Sequence, residues 1–242
     1  MAGENYVGGI AGFNDVAGTL DVNYTLIGGK VYAYGDCAGG GFGFNASTEV
    51  LTKELTIKPT SVQGRYYVGG CIGANVVNLS KNLTMEYFRA DNRLGSIVGE
   101  AFCGGIIGYG QSTILSSCST KKNGYILGDK YVGGIAGGFR GAIRADGEVQ
   151  VTTNASYVIG NSYVGGIVGK NTENVTIENC VNNGVAAGYD RYIGGITGYN
   201  DATIADCASY LSDYNNSIFK MIVSAWKATG DYAGGILSLI HI

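Results

Sequence analysis

The stretch Tyr163-Val-Gly-Gly-Ile-Val-Gly-Lys-Asn171 decides the fold, because a phrase of this form recurs along the whole chain. The shared features are an aromatic residue, a small apolar residue, a glycine pair, an Ile or small substitute, and a closing glycine. Copies lie near residues 6–14, 37–45, 67–75, 102–110, 131–139, 163–171, 192–200 and 232–237. Successive glycine pairs are 29 to 40 residues apart, which predicts a repeat protein whose repeats contact only their neighbours.

The glycine pair is the most regular feature of the phrase, and its recurrence predicts a backbone requirement. That requirement is either a positive φ or the close approach of another chain segment. Because side chains alternate across a strand, the aromatic and Ile columns are expected on one face and the Val column on the other. Both faces are then apolar, which implies cover on both sides or a bend at the pair. The predicted structural repeat residues are Gly8, Gly9, Gly39, Gly40, Gly69, Gly70, Gly104, Gly105, Gly133, Gly134, Gly165, Gly166, Gly194, Gly195, Gly234 and Gly235.

The segments between the phrases indicate strands. Asn174-Val-Thr-Ile-Glu-Asn-Cys180 and Ala202-Thr-Ile-Ala-Asp-Cys207 are short, β-branched and bounded by turn residues. Glycine supplies 42 of 242 residues, and each costs a helix interior about 1 kcal/mol, which excludes helical repeats. A β-propeller blade needs four strands and about 40 residues or more. We therefore predict an all-β fold, a parallel β-solenoid or β-helix of about eight coils with roughly 30 residues per coil.

The repeat pattern predicts a single β-solenoid domain over residues 1–236. Longer segments at 76–101 and 208–231 are expected to be insertions that pack against the rod, with a binding protrusion as the alternative. Residues 237–242 resemble translated sequencing-adapter read-through and are interpreted as a non-native tail. The chain is accordingly expected to be a fragment of a larger protein.

Asparagine closes five of the phrases. Because Asn tolerates the left-handed conformation, the column is expected at corners of the coil. Stacked Asn side chains are also able to hydrogen-bond along a rod of parallel strands, which predicts an amide ladder. The five residues are Asn14, Asn45, Asn75, Asn171 and Asn200.

The phrase Tyr-Val-Gly-Gly-Ile-x-Gly-x-Asn, followed by Thr-Ile-x-x-Cys, resembles the GLUG-type repeat of bacterial cell-surface and secreted, adhesin-like proteins. Residues 163–207 match this pattern best, whereas Gly41 and Gly110 depart from it. The resemblance implies an extracellular or cell-surface β-solenoid that is a non-catalytic structural or adhesive module. Its implied partners are a host or bacterial surface glycan or protein and the rest of the parent polypeptide. The resemblance carries over no catalytic residue and no cofactor.

Several classes of function are disfavoured by composition. The only histidine, His241, lies in the suspect tail, so no Ser-His-Asp triad can be assembled from the repeats. A net charge of −3 without a basic stripe argues against a nucleic-acid partner. The chain has no apolar run of about 18 residues that would span a membrane. Cys118, Cys180 and Cys207 share one column, which favours buried free thiols over disulfides or a metal site.

Calcium binding is one alternative, since acidic residues recur in the turn before the phrase. The calcium candidates are Asp36, Asp129, Asp190 and Asp231, which would make the chain a calcium-stabilised module resembling a β-roll. Arg65 interrupts this column and the nonapeptide pattern of calcium rolls is absent, so solvated turns are the favoured interpretation.

A carbohydrate-active β-helix fragment, a glycosidase or lyase, is the other alternative. It requires carboxylates about 5 to 10 Å apart in one groove. The candidate carboxylates are scattered over several coils without a recurring pair. They are Asp146, Glu148, Glu173, Glu178 and Asp206. Seven of the 18 tyrosines lie in or near a repeated column, which favours core or ladder packing over sugar stacking.

Overall fold

A computed structural model of the chain describes residues 1–15, 24–47, 54–59, 61–77, 83–91, 95–144, 151–172, 176–201, 203–210, 224–225 and 233–234. These residues form strands, turns and bends, and no helix occurs among them. Every strand pair is parallel and joins segments that are one repeat apart in the sequence. The predicted all-β parallel β-solenoid is therefore confirmed.

Each coil passes through four sheets that run along the rod, numbered here in the order in which the chain meets them. Sheet 1 contains Ala2–Gly3, Lys30–Ala33, Ser61–Gln63, Ser96–Val98, Tyr125–Leu127, Tyr157–Gly160, Val185–Gly188 and Ser224–Ala225. Sheet 2 contains Val7–Gly8, Ala38–Gly39, Tyr66–Gly69, Ala101–Gly104, Lys130–Gly133, Ser162–Gly165, Ile193–Gly194 and Ala233–Gly234. Sheet 3 contains Ala11–Asn14, Phe42–Asn45, Ile72–Val76, Leu83–Glu86, Ile107–Ser116, Ala136–Ile143, Val168–Asn171, Thr176–Glu178, Thr197–Tyr199 and Thr203–Ala205. Sheet 4 contains Tyr24–Ile27, Leu55–Lys58, Phe88–Ala90, Ser119–Thr120, Thr152–Asn154, Cys180–Asn182 and Ala208–Ser209.

The number of coils follows from sheet 2, which holds one strand of every copy of the phrase. Between Val7–Gly8 and Ile193–Gly194 the chain completes about six turns of about 30 residues. The eighth strand, Ala233–Gly234, pairs with Ile193–Gly194. Most of the 208–231 insertion, Asp231, Gly235 and the 237–242 tail lie outside the described residues.

Two separate hydrophobic cores fill the coil. The Val column of sheet 2, including Val68 and Val132, packs against sheet 1 residues such as Ile126. The Ile column that follows the glycine pair, including Ile135, belongs to a larger core shared with sheets 3 and 4. The two apolar faces expected from the sequence are thus explained by a bend at the glycine pair, where the chain passes from one core to the other.

The glycine pair lies at a waist between the two cores, where opposite walls of the coil come close together. A Cβ atom at Gly70 would lie 2.9 Å from the Ala90 Cβ across the waist and 3.0 Å from the Ile97 Cδ1. It would also overlap the carbonyl oxygen of Gly105 in the next coil. Positive φ values among the described glycines occur only at Gly28 and Gly29, so close approach is the requirement that the pair meets.

The predicted asparagine ladder is present inside sheet 3. The left-handed backbone expected for this column is wrong, since none of the five Asn residues has a positive φ. The Asn14 amide donates to the Asn45 Oδ1 at 2.7 Å, and the Asn45 amide donates to the Asn75 Oδ1 at 2.6 Å. At the other end, the Asn171 amide donates to the Asn200 Oδ1 at 2.6 Å. All five residues are buried, so each amide satisfies its neighbour where water has no access.

The ladder is interrupted in two successive coils, whose phrases end in Gly110 and Phe139 instead of Asn, and the interruption is compensated. Gly110 and Phe139 are register partners at these positions, and a Cβ on Gly110 would lie 2.8 Å from the Phe139 ring. The phenyl ring therefore occupies the space over the glycine. The Asn75 amide instead donates to the Thr113 Oγ1 at 2.7 Å, next to a register shift in sheet 3.

A second polar ladder, not predicted from the sequence, runs through sheet 4 at the waist. The Thr120 hydroxyl donates to the Asn154 Oδ1 at 2.6 Å, and the Asn154 amide donates to the Asn182 Oδ1 at 2.9 Å. The Asn182 amide donates to the Ser209 Oγ at 3.3 Å. Asn154 and Asn182 are fully buried beside the second glycines of the neighbouring phrases.

We expect Gly39→Ala to destabilise the solenoid far more than Gly41→Ala, two residues further along the same phrase. The new Cβ at position 39 would overlap the Phe42 carbonyl oxygen and lie 2.7 Å from the Gly73 nitrogen, whereas the Cβ at position 41 lies 3.2 Å from the nearest atom. Chemical denaturation should show a loss of about 3 kcal/mol or more at position 39. Equal effects at both positions would contradict the close-approach explanation.

Asn154→Leu tests the second ladder. The substitution removes the Asn154 Oδ1, which leaves the Thr120 hydroxyl and the Ser156 N–H without their acceptor in a buried site. An unsatisfied buried group costs about 1 to 3 kcal/mol, so we expect a loss of about 2 to 5 kcal/mol in the free energy of unfolding. The matched control is Asn161→Ala at an exposed turn, for which a change within about 0.5 kcal/mol is expected.

Candidate functional site

The outer side of sheet 2 carries a continuous stack of aromatic rings. Adjacent ring centroids are 5.1 Å apart for Tyr67 and Phe102, 4.7 Å for Phe102 and Tyr131, and 4.8 Å for Tyr131 and Tyr163. Tyr192 extends the stack at 4.6 Å from Tyr163. We call these five residues the aromatic ladder. The rings are half-buried, so the ladder forms part of the surface.

The backbone of the ladder has left-handed φ values, which the sequence did not predict for this column. The angles are 57° at Tyr131 and Tyr163 and 61° at Tyr192, and Cys37 shares the conformation at 62°. This conformation costs an L-residue about 1 to 2 kcal/mol, which aromatic stacking of about 0.5 to 1.5 kcal/mol per pair partly offsets. It also breaks the strand alternation. The expectation that aromatic and Ile columns share one face is therefore wrong, since the rings point outward and the Ile column inward.

Burial and neighbouring groups raise the pKa of two phenols of the ladder. Burial raises the pKa of Tyr163, and the neighbouring Tyr192 and Tyr131 raise it further. Burial is also the main reason that the pKa of Tyr67 is raised. The phenols of Tyr67 and Tyr163 are therefore neutral hydrogen-bonding groups at physiological pH.

Next to the ladder, sheet 3 presents two outward columns on either side of the inward asparagine column. The first column follows the closing glycine of the phrase, with Tyr109, Gly138, Lys170 and Tyr199 in register on four successive coils. The second column lies two residues further along the chain in each coil, partly within the strand and partly just beyond its end, and its side chains lie on the same outer side as those of the first column. It contains Gln111, Arg140, Thr172 and Asp201. We call these eight residues the outer grid.

The outer grid contains a cavity of about 380 Å³ whose ends are two tyrosines. The lining residues are Tyr109, Arg140, Lys170, Thr172, Tyr199 and Asp201. A second cavity of about 170 Å³ shares Tyr109, Lys170 and Thr172 and reaches Phe102 and Tyr131 of the ladder. The Lys170 Nζ lies 5.5 Å from the ring centroids of both Tyr131 and Tyr199, a cation–π arrangement that holds the ammonium between two rings.

Sequence reasoning missed the outer grid, although the sequence contains one signal for it. The residues on either side of each phrase-closing Asn must face outward once that Asn is buried. Reading those positions as columns would have placed Lys170 and Tyr199 on one face. The position without a side chain at Gly138 could not be recognised from the sequence, because this glycine resembles the other glycines of the repeat.

The described calcium candidates, Asp36, Asp129 and Asp190, lie in turns whose backbone hydrogen bonds run along the rod, and Asp231 lies outside the described residues. The Asn161 N–H donates to the Asp129 carbonyl at 2.9 Å, and the Asp190 N–H donates to the Asn161 carbonyl at 2.8 Å. The Asp190 carboxylate lies 3.3 Å from the Arg191 Nε. Asp36 lies in an earlier coil than Asp129 and Asp190. In the part of the chain that the structure describes, no three His, Cys, Asp or Glu side chains are grouped closely enough to hold a metal ion.

The scattered carboxylates predicted for the carbohydrate-active alternative are only partly described. Glu178 ends a strand of sheet 3 and Asp206 follows the neighbouring strand in the next coil. Neither residue lines the two cavities of the outer grid, where Asp201 is the carboxylate among the lining residues. Asp146, Glu148 and Glu173 lie outside the described residues.

The cysteine column contains free thiols, as the sequence predicted. Cys118 and Cys180 are buried and Cys207 is half-buried, and all three are free. Their thiols donate to backbone carbonyls, including Cys118 to Ser116 at 3.4 Å and Cys207 to Ala205 at 3.1 Å. Burial raises the pKa of Cys118 to about 12, whereas a hydrogen bond with Cys180 lowers the pKa of Cys207.

No family model, curated protein or solved structure matches this chain. The GLUG-type identity therefore stays a prediction from the residues. Among the described residues there is no helix with the length and apolarity to cross a membrane.

Thiol alkylation should separate Cys207 from the buried cysteines. At about pH 8 the folded chain is expected to react first at Cys207, because only the thiolate reacts and Cys103 and Cys118 have a pKa of about 12. Timed labelling with iodoacetamide and peptide mass spectrometry measures this order. Cys207→Ser should remove the fast label, while labelling of Cys103 at the same rate would contradict its burial.

The raised thiol pKa values also make stability depend on alkaline pH. Folding raises the pKa of Cys103 from 9.0 to about 12, so the unfolded chain releases a proton above pH 9 that the folded chain retains. The stabilisation is therefore fully present below about pH 9 and is lost as the pH rises towards 12. Denaturation at about pH 8 and about pH 11 measures the loss, which should be smaller in Cys103→Val.

Proposed function

We propose that this chain is a non-catalytic structural and adhesive module of a bacterial surface or secreted protein, which presents a binding face on a stiff β-rod. The observation that carries the proposal is the aromatic ladder. Five rings are held on the outer surface at a spacing set by the coils, on a backbone conformation that is itself costly. Costly, surface-exposed features of this kind are typical of binding sites.

The interior of the rod supports a scaffold function. Its cores are apolar, and its buried Asn side chains hydrogen-bond to one another. Because each coil is hydrogen-bonded to the next across four sheets, the outer surface keeps a fixed geometry along the rod. A fixed surface reduces the ordering cost of binding an extended partner.

The carbohydrate-active alternative requires two carboxylates that face each other across a groove. The cavities of the outer grid bring aromatic rings, two cations and Asp201 together, which suits retention of a ligand better than cleavage.

The test is retention of the fluorescently labelled full chain on immobilised surface glycans and matrix proteins, with product analysis of the same samples. We expect retention without release of sugar fragments. Tyr163→Asn should weaken it, because Asn tolerates the left-handed backbone but removes a ring from the ladder. Tyr125→Thr, on sheet 1, is the matched control and should bind like the parent chain.

Release of oligosaccharide fragments would contradict the proposal in favour of a carbohydrate-active enzyme. Retention on none of the glycans and proteins, or equal weakening by Tyr163→Asn and Tyr125→Thr, would also count against a binding face on the ladder.

A further inference from the structure

We propose that the outer grid is a binding site for a carboxylate-bearing oligosaccharide, held between Tyr109 and Tyr199. This inference rests on the proposed binding function and names the class of ligand. Three features support it: the register of the coils, the absence of a side chain at Gly138, and two cations that have no acidic partner among the described residues.

The register of sheet 3 determines the length of the site. Tyr109 and Tyr199 occupy the same column three coils apart, and parallel strands are about 4.8 Å apart, so the two tyrosines are separated by roughly 14 Å along the rod. This span suits a short oligosaccharide lying parallel to the rod. The cavity volume of about 380 Å³ is within the range of small-molecule sites.

Gly138 creates the depression between the two tyrosines. A Cβ there would lie 2.6 Å from the Phe102 ring and 3.0 Å from the Tyr109 ring, so both rings lean over this position. Lys170 follows in the next coil, leaving two successive coils of the column without an aromatic ring. The depression therefore has apolar ring surface on its floor and at its ends, as saccharide rings require.

Lys170 and Arg140 supply positive charge to the depression. Across the described part of the chain, neither side chain forms an ion pair or hydrogen bond with a protein carboxylate. Lys170 is held between Tyr131 and Tyr199 by cation–π contacts, and its ammonium forms no hydrogen bond with a described residue. Arg140 is exposed on the adjacent column, and a guanidinium binds a carboxylate through two parallel hydrogen bonds.

Thr172 and Asp201 indicate a hydroxyl-rich ligand rather than a polyphosphate or nucleic acid. A threonine hydroxyl and an aspartate carboxylate both accept hydrogen bonds from sugar hydroxyls. The Asp201 carboxylate repels a ligand whose charges are dense, and the whole chain has a net charge of −3. An oligosaccharide with isolated carboxylates matches all of these groups. Its carboxylates match the two cations, its hydroxyls match the Asp201 carboxylate, and its ring faces match the tyrosines.

Calorimetric titration with trigalacturonate, its methyl ester and sialyllactose tests the site on the full chain. We expect the free acid to bind at least about tenfold more tightly than the ester, because the ester loses charge-assisted hydrogen bonds. Affinity for the acid should fall as salt concentration rises. Comparison with sialyllactose shows whether the carboxylate is recognised within a uronate chain or on a terminal sialic acid, and binding of either acid supports the site.

The variants Lys170→Gln and Arg140→Gln should each weaken acid binding about tenfold, and Lys170→Arg should restore part of the affinity. Lys122→Gln, at an exposed turn after sheet 4, is the matched control and should bind like the parent chain. Lys170, Arg140 and Lys122 all lie at the surface, so their substitution should leave the fold intact. The thermal midpoint of each variant checks this.

Equal binding of the acid and the ester, or no effect of Lys170→Gln and Arg140→Gln, would overturn the inference. If the parent chain is retained on neutral glycans or proteins but not on the acids, the proposed function stands and this ligand class is wrong. If the parent chain is retained on nothing, the proposed function fails as well.

Discussion

The close approach of chain segments at the waist is the constraint on which the rest of the structure depends. In the pairs from Gly39-Gly40 to Gly165-Gly166, the second glycine faces the opposite wall of its own coil, as Gly70 faces Ala90, and also the carbonyl of the next coil. No side chain fits between these surfaces. The waist therefore divides the coil into two cores and forces the chain to bend there, which sends the Val column into one core and the Ile column into the other.

The polar ladders act together with the waist to hold the coils in register. A buried amide such as Asn154 finds its partners in the coils on either side, so a slip of one residue would leave several buried groups unsatisfied. Where the phrase lacks Asn, other contacts replace the amide hydrogen bonds. The Phe139 ring packs over Gly110, and the Thr113 hydroxyl accepts the hydrogen bond from the Asn75 amide. Apolar packing and hydrogen bonding thus both select the same stacking.

On the outer surface, the spacing of the side chains is determined by the coils of the interior. The ladder rings stack because the coils beneath them repeat at the separation that aromatic stacking favours. The left-handed backbone at Tyr131 and Tyr163 is tolerated because the hydrogen-bonded sheets on both sides determine it. The surface groups are therefore presented in fixed positions, which suits recognition of an extended partner.

The fold was predictable because a repeat displays each structural requirement several times. The spacing of the glycine pairs implied stacked coils, and the recurrence of Asn14, Asn45 and Asn75 implied an amide ladder. The ladder through Asn154 and the grid around Lys170 were not predictable, because their residues recur in few coils and meet through contacts between coils. The sequence by itself determined the period, the parallel stacking and the columns that are buried. Only the tertiary structure decided which way each column faces, because a left-handed residue beside a glycine bend reverses the alternation that strand geometry alone would dictate.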